Sequence, residues 1–208
     1  MKWDLSEKAL HSDLLGLVER MSGQNVSACY QCGKCSAGCP VVADTTVTPN
    51  RVIRATQLGL EAEALCNDMV WCCAGCGTCT GRCPEGIDIV RILDALRAIA
   101  LRRGVNLPKG GVEVQTFYRA FLDSVRDFGR LSEVGLMGGY NINSGRLWTN
   151  MAKAPWFLLK GKVGVSTHKV RQLDRLQRVF ERIEHMEQTE VDDVTESAAS
   201  HSDAGEHA

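Results

Sequence analysis

The sequence predicts an all-α protein built around two cysteine-rich loops. Three observations lead to this prediction. Apolar residues recur at three- and four-residue steps in several segments, alternation with a period of two is nearly absent, and one cysteine pattern occurs twice, each time ahead of an expected helix. The 208 residues, 44% of them hydrophobic, suffice for one domain with a core and a smaller appendage.

The first elements are expected to be helices with recognisable ends. Residues 4–22 predict an amphipathic helix that Gly23 ends, and Thr48 and Pro49 are expected to cap and start a short one. A third helix begins at the Asp88 cap and ends at Gly104. The apolar faces of the first and third helices consist of Leu10, Leu14, Leu17, Val18 and Met21, and of Ile89, Ile92, Leu93, Leu96 and Ile99.

The second half is expected to be less regular. Residues 112–129 predict a helix whose apolar positions are Val114, Phe117, Phe121, Val125 and Phe128. Residues 135–165 are rich in glycine and contain Trp148 and Trp156, so we expect irregular structure there. Residues 168–188 predict a charged helix, and the acidic tail that follows predicts disorder.

The two cysteine blocks are copies of one pattern, C-x2-C-x2-C-x3-C-P, and they begin at Cys29 and Cys73. In ferredoxins with two clusters, the first three cysteines of such a block bind one [4Fe-4S] cluster and the fourth binds the other. The pattern thus predicts two clusters with exchanged fourth ligands. The first is held by Cys29, Cys32, Cys35 and Cys83, and the second by Cys73, Cys76, Cys79 and Cys39.

Zinc is the main alternative for these cysteines. A zinc site made of four cysteines usually uses two C-x2-C pairs separated by a longer stretch, whereas three cysteines at two-residue gaps recur here with a C-P. The spacing therefore favours iron–sulfur clusters. Glycines within the blocks are expected to permit positive φ angles where the loops need them; they are Gly33, Gly38, Gly75, Gly77 and Gly81.

Two cysteines fall outside the repeated pattern. Only the register that starts at Cys73 reproduces the first block, so we interpret Cys72 and the more distant Cys66 as small buried apolar residues. Ligation or redox chemistry at either one is the alternative. No histidine stands in a motif and no glycine-rich phosphate loop follows a strand, so we expect no catalytic site within this chain.

The net charge of -1 gives no general electrostatic case for binding nucleic acid. The first twenty residues carry charges throughout and do not resemble a signal peptide, and the apolar stretch "APWFLL" is too short to span a bilayer. We therefore expect a cytoplasmic protein without a membrane span. In that compartment thiols stay reduced, so ten cysteines indicate metal binding rather than disulfides.

The chain resembles the C subunit of heterodisulfide reductase and its bacterial relatives. The resemblance rests on "CYQCGKCSAGCP", "TPNRVIRATQLGL", Trp71 before the second block, and "CGTCTGRCPEGIDIVRILDALR". The residues themselves predict a helical extension for partner docking at 106–187 and a disordered acidic tail at 188–208, and the resemblance implies an α-helical ferredoxin-type dicluster domain at residues 1–105. It also implies a hetero-oligomeric complex with a flavin-containing A-like subunit and a disulfide-active B-like subunit.

The cysteine spacing also fits the iron–sulfur subunits of other flavin dehydrogenases. Subunits resembling those of glycolate oxidase and glycerol-3-phosphate dehydrogenase are the alternative to the heterodisulfide reductase interpretation. In both cases the chain would carry electrons and leave the bond chemistry to a partner.

Overall fold

The computed structural model describes residues 12–145, Trp156, Lys160 and residues 168–186. No strand occurs within these ranges, and the predicted all-α class is confirmed. The chain divides into two compact units, Met1–Val114 and Gln115–Ala208. The division falls within a helix, Lys109–Phe128. Val114, the last residue of the first unit, packs against the core of that unit.

The first unit contains seven complete helices in the described residues, and most of them are short. They are α1 (Leu14–Ser22), α2 (Lys34–Ala37), α3 (Pro49–Gln57), α4 (Glu61–Leu65), α5 (Asp68–Cys72), α6 (Thr78–Arg82) and α7 (Ile89–Arg102). Two 3-10 turns, Val26–Ala28 and Val42–Asp44, separate the earlier helices. Helix α8 (Lys109–Phe128) begins in this unit and continues into the second.

The core of the first unit forms where α1 packs against α7 and where α3 contacts α4. The predicted apolar face of α7 is buried, with Ile92 and Leu96 at 0% exposure. On α1, Leu14 and Val18 are also at 0%, whereas Met21 lies on the exposed side. The cysteine-bearing helices α2 and α6 contact each other, so the fold brings the two blocks together.

The predicted ends of the helices in the first unit are largely confirmed. Gly23 and Gly104 take left-handed conformations with φ of 65° and 58° after α1 and α7. The Asp88 carboxylate accepts hydrogen bonds from the first backbone N–H groups of α7, and Pro49 is the first residue of α3. Thr48 takes an extended conformation, but its hydroxyl donates to the Asn50 side chain instead of capping the backbone. The first residues of the predicted helix 4–22, up to position 11, lie outside the described residues.

The prediction of irregular structure from residue 135 is wrong at its beginning, because α9 (Glu133–Asn143) is helical. Ser132 starts this helix: its Oγ accepts from Gly135 N at 3.2 Å, and its own N–H donates to Ser124 Oγ at 2.8 Å. This buried cap fixes the first turn despite the glycines of the helix, which weaken helix propensity. Trp148 lies outside the described residues.

The charged helix predicted at 168–188 is observed as α10, residues 173–186. Its apolar residues differ in exposure. Leu173, Leu176 and Phe180 are partly buried, whereas Val179, Ile183 and Met186 are more exposed, at 48–54%. Within the second unit, Arg126 of α8 pairs with Glu184 and lies 5.1 Å from the centre of the Phe180 ring. The acidic tail lies outside the described residues.

Across the described parts of the chain, no helix combines the length and the apolar character that crossing a membrane requires.

Candidate iron–sulfur site

The first cysteine block begins at the end of a 3-10 turn. The Asn25 side chain accepts from Ala28 N, and Cys29 N donates to Val26 O at 3.2 Å. The Gln57 side-chain amide, from the end of α3, donates to Val26 O at 3.0 Å and to Cys29 O at 2.9 Å. Cys29 is therefore held by a side chain from the helix that follows its own block.

Both loops reach their next helix through two residues with positive φ. In the first block these are Gln31 (63°) and Gly33 (76°), and in the second Gly75 (64°) and Gly77 (73°). Three of the five glycines expected to permit positive φ therefore have it, and Gly38 and Gly81 do not. The positive φ of Gln31 was not predicted, although the alignment of Gln31 with Gly75 in the repeat is a signal that could have identified it.

The predicted cluster ligands surround two separate cavities. Cys29, Cys32 and Cys35 line the first, and the fourth cysteine at its wall is Cys83, from the second block. The second is lined by Cys73, Cys76 and Cys79, together with Cys39 from the first block. All eight predicted ligands thus lie at the cavities, three from one block and one from the other in each case.

The remaining two cysteines lie elsewhere. Cys72 is the last residue of α5, and Cys66 follows α4; neither lines a cavity that the predicted ligands surround. Burial raises the pKa of both thiols, with a further rise from Glu63 beside Cys66 and from Asp68 beside Cys72. The expectation that both residues are buried is wrong for Cys66, which is exposed although its sulfur is partly desolvated, and Cys72 is partly exposed.

The environments of the cavity thiols differ. Cys35 and Cys79 occupy corresponding positions in the repeat, both are buried, and burial raises the pKa of each. Cys76 is exposed, and the Thr78 hydroxyl, whose oxygen lies 3.5 Å from the sulfur, lowers its pKa. Since only thiolates bind iron, metal binding here must release the protons of the thiols that become ligands.

The donor set of each cavity fits a [4Fe-4S] cluster. Four thiols are available, soft ligands of the type that iron–sulfur clusters and zinc prefer, and the other lining residues include Ile53, Ile87, Met69 and Leu93. Within the described residues, no three His, Cys, Asp or Glu side chains converge as ligands of a single metal ion. A cubane instead requires one thiolate at each of four separate irons.

Two arginines approach the cysteine loops, and the sequence pattern did not distinguish them. The Arg82 side chain lies over Gly38, where an added Cβ would be 2.6 Å from Nη1. Arg97 of α7 donates from Nε to Val70 O at 2.5 Å and from Nη2 to Cys73 O at 2.7 Å. No short-range motif identifies Arg97, since its partners are 24 and 27 residues away.

The fold and the paired cysteine cavities define a class of protein, the helical carriers of two iron–sulfur clusters. In agreement, residues 25–87 match the family described as the 4Fe-4S dicluster domain. This part of the chain is therefore a dicluster domain, and it carries two [4Fe-4S] clusters.

The relatives of the chain are more specific. It is 41% identical over 80 residues to the C iron–sulfur subunit of CoB–CoM heterodisulfide reductase from Methanopyrus kandleri, covering 38% of this chain and 42% of that one. It is 40% identical over 81 residues to a C-type iron–sulfur subunit of the same enzyme from Methanocaldococcus jannaschii, covering 39% and 43%. It is 37% identical over 98 residues to the C subunit of ferredoxin:CoB–CoM heterodisulfide reductase from Methanosarcina mazei, covering 47% and 60%.

These similarities confirm the resemblance to the C subunit of heterodisulfide reductase that the cysteine blocks indicated. The matched region spans between about two fifths and three fifths of the length of the three relatives.

Proposed function

We propose that this chain is the electron-transfer iron–sulfur subunit of a cytoplasmic heterodisulfide reductase-like complex. Its clusters would relay electrons between a flavin-containing A-like subunit and a disulfide-active B-like subunit. The observation that carries the proposal is the pair of cavities, each lined by three cysteines of one block and one of the other. When bound, the clusters would act as one-electron carriers, and the chain would supply their thiolate ligands and apolar surroundings.

The proposed ligands are Cys29, Cys32, Cys35 and Cys83 for the first cluster and Cys73, Cys76, Cys79 and Cys39 for the second. The exchange of fourth ligands is supported by the presence of Cys83 and Cys39 at the cavities of the opposite blocks. Because each cluster joins residues from both halves, the ligands also fix the two loops against each other. The protein's task is therefore to hold two redox centres in one rigid unit.

Metal analysis separates this proposal from a zinc-stabilised interaction module. Protein purified without oxygen should be brown and contain about eight irons and eight sulfides per chain, as two four-iron clusters require. Colourless protein with stoichiometric zinc would disprove the electron-transfer function together with its redox alternatives.

Paired substitutions test the exchanged ligands. Cys29→Ser combined with Cys83→Ser removes two ligands of the same cluster, so about four irons should remain. Cys73→Ser combined with Cys83→Ser damages both clusters, so nearly all iron should be lost. The reverse result, with iron retained only in the second pair, would mean that each block binds its cluster alone.

The ligand register has its own matched pair of variants. Cys73→Ser should damage one cluster, whereas Cys72→Ser at the neighbouring position should leave both iron content and cluster spectra unchanged. Loss of a cluster in Cys72→Ser, with both clusters intact in Cys73→Ser, would contradict the assignment.

The partners decide between the two redox alternatives. Proteins that co-purify with the chain without oxygen should include a B-like subunit with paired-cysteine motifs and an A-like flavoprotein. A flavin hydroxy-acid or glycerol-3-phosphate dehydrogenase in their place would support the alternative function.

We also propose that residues 106–187 dock the partner. Trp156 supports this role, since its side chain is 61% exposed and Lys160 Nζ lies 4.6 Å from the ring centre. Exposed aromatic residues of this kind are enriched in interfaces. Deleting residues 135–187 should abolish co-purification with the B-like subunit and leave both clusters in place.

A single substitution gives the sharper test of docking. Trp156→Ala should weaken co-purification, whereas Leu101→Ala, at a side chain 45% exposed on α7 and outside residues 106–187, serves as the control and should not. Equal retention of the partner by both variants and by the deletion would exclude this docking surface.

A further inference from the structure

The two halves of the repeat hold the same backbone groups with different side chains. Gln57 donates to the carbonyls of Val26 and Cys29, and Arg97 donates to the carbonyls of Val70 and Cys73. In both halves the acceptors are the first cysteine of the block and the residue three positions before it. The donors also correspond, because each lies the same number of residues after the first residue of its helix, α3 or α7.

The two donors differ in charge. Gln57 is a neutral amide, whereas the guanidinium of Arg97 is always protonated in proteins. The Arg97 side chain is only 19% exposed, so water screens its charge poorly on the protein side. Its Nη1 also contacts Asp94 Oδ1 at 3.0 Å, but Asp94 is 58% exposed and its solvated carboxylate offsets the charge only in part.

From this asymmetry we propose that Arg97 is a positioning residue that fixes the Cys73 carbonyl and raises the reduction potential of the cluster bound to Cys73. Reduction adds a negative charge to a cluster, and a fixed cation beside a ligand stabilises the reduced form. The inference rests on the ligand assignment proposed above. In the first half Gln57 provides the same hydrogen bonds without the charge, so the two clusters have different electrostatic surroundings.

The first half has a hydrogen bond to a ligand sulfur that the second half lacks. Gln31 Nε2 lies 3.4 Å from Cys29 Sγ as a donor, and the corresponding residue in the second block, Gly75, has no side chain. A hydrogen bond to a ligand sulfur also raises a cluster's potential. The proposal for Arg97 therefore concerns the reduction potential of one cluster. Which cluster has the higher potential depends on both the Arg97 charge and the Gln31 hydrogen bond.

Arg97→Gln is the informative variant, because it gives the second half the donor type that the first half uses. Redox titration of the purified full-length protein, followed by electron paramagnetic resonance, measures both clusters. At a fixed potential we expect the reduced-to-oxidised ratio of the cluster bound to Cys73 to fall by roughly three- to tenfold. A tenfold change corresponds to about 59 mV for a one-electron couple. Arg97→Lys keeps the charge and should retain most of the wild-type ratio.

Arg91→Gln is the control for charge alone. Arg91 lies on the same helix, α7, but its side chain is 67% exposed and donates to no carbonyl of the cysteine loops among the hydrogen bonds of the described residues. Arg91→Gln removes the same charge as Arg97→Gln, but from a side chain that water screens. Both titration curves should therefore stay unchanged. An equal shift in Arg91→Gln and Arg97→Gln, or no shift in Arg97→Gln with both clusters present, would overturn the proposal.

The affected cluster can be identified in a background with one cluster. The Cys29→Ser, Cys83→Ser protein should keep only the cluster bound to Cys73, and Arg97→Gln should shift its titration there. If that background holds no intact cluster, the ligand assignment is wrong. This result differs from an intact cluster whose titration does not shift, which would contradict only the role of Arg97. If Arg97→Gln itself loses iron, Gln57→Arg provides the test, because it introduces the cation in the first half. A raised potential of the cluster bound to Cys29 supports the role of the cation, and an unchanged potential overturns it.

Discussion

Gly38 has no side chain at a point where the Arg82 side chain occupies the space that a Cβ would need. The added atom would lie 2.6 Å from Nη1 and 2.8 Å from Cδ and Cζ. Since Cδ is not the free end of the chain, Arg82 would have to leave its position. Gly38 and Arg82 occupy corresponding places in the two blocks, immediately before Cys39 and Cys83, so the repeat can pack only because its copies differ here.

Gly38→Ala should therefore destabilise the loaded protein by about 1–3 kcal/mol, the usual range for overpacking. Gly81→Ala is the matched control, because a Cβ there meets nothing within 4 Å and the residue lies in α6. It should be neutral or slightly stabilising. Thermal unfolding under anaerobic conditions measures both, and Arg82→Ala should rescue Gly38→Ala. Equal unfolding midpoints for both glycine variants would contradict the steric explanation.

Cys66 allows a test of thiol chemistry away from the cavities. Cys66 is exposed, but partial desolvation of its sulfur, with a smaller contribution from Glu63, raises the pKa of the thiol, so the thiolate fraction is lower than in a free cysteine at the same pH. Alkylation of the loaded protein at Cys66 should be slower than that of a small thiol at about pH 8, and should accelerate as the pH rises above about 9. Mass spectrometry of iodoacetamide-treated protein gives the rate. A rate equal to that of the free thiol at the lower pH would be inconsistent with the raised pKa.

At the scale of elements, α7 is tied at its start to two other parts of the first unit. Asp88 Oδ1 accepts from Val90 N at 3.1 Å and from the Thr80 hydroxyl of α6 at 3.0 Å. The Asp88 N–H donates to Gln24 Oε1, just beyond α1, at 2.8 Å. One residue thus caps the helix and connects it to the second cysteine loop and to the first helix.

Asp88→Ala should lower stability by about 1–2 kcal/mol through loss of the cap. The side chain of Asp88→Asn has an oxygen that can accept the same bonds, so this variant should retain most of the stability. Thermal midpoints of the loaded proteins, compared at one scan rate, should fall by about 2–8 °C for the alanine variant. A similar fall in both variants would assign the effect to the carboxylate charge near Arg91 instead of the cap.

The sequence predicted elements wherever local chemistry determines them. Asp88, Pro49 and Gly104 mark helix ends within a few residues of the groups they satisfy, and the ligand cysteines recur in a repeat that can be read directly. Donors such as Gln57 and Arg97 were missed because their acceptors lie 24 to 31 residues away and only tertiary packing brings them together. Helix α9 was missed for a related reason: its buried cap, Ser132, is held by Ser124 of another helix.

For the whole molecule, the cysteine cavities and the apolar core of the first unit are parts of one structure. Cys35 and Cys79 belong to the same buried cluster of residues as Ile53 and Leu93, and Ile53 and Leu93 also line the cavities. The core therefore continues to the ligands themselves. A bound cluster closes loops from both blocks, which limits the conformations of the unfolded chain as well.

Removal of the clusters should consequently unfold much of the first unit and not only its loops. Treatment with a chelator and an oxidant should increase amide hydrogen exchange in α3 and α7 as well as around the cysteines. Comparison of exchange before and after treatment, with zinc-free buffer throughout, measures this. Unchanged protection of α3 and α7 in iron-free protein would show that the helices pack without the clusters.

The distribution of cysteines between the cavities also bears on the order in which the chain can be loaded during its synthesis. The first cavity receives three cysteines by residue 35 but has to await Cys83, whereas the second is complete once Cys79 has been made. Both therefore become complete within the same few residues of translation. A ribosome that stalls before that point exposes an early block with an open site, so we expect iron and sulfide to be delivered to both sites in a single event that follows the synthesis of Cys83.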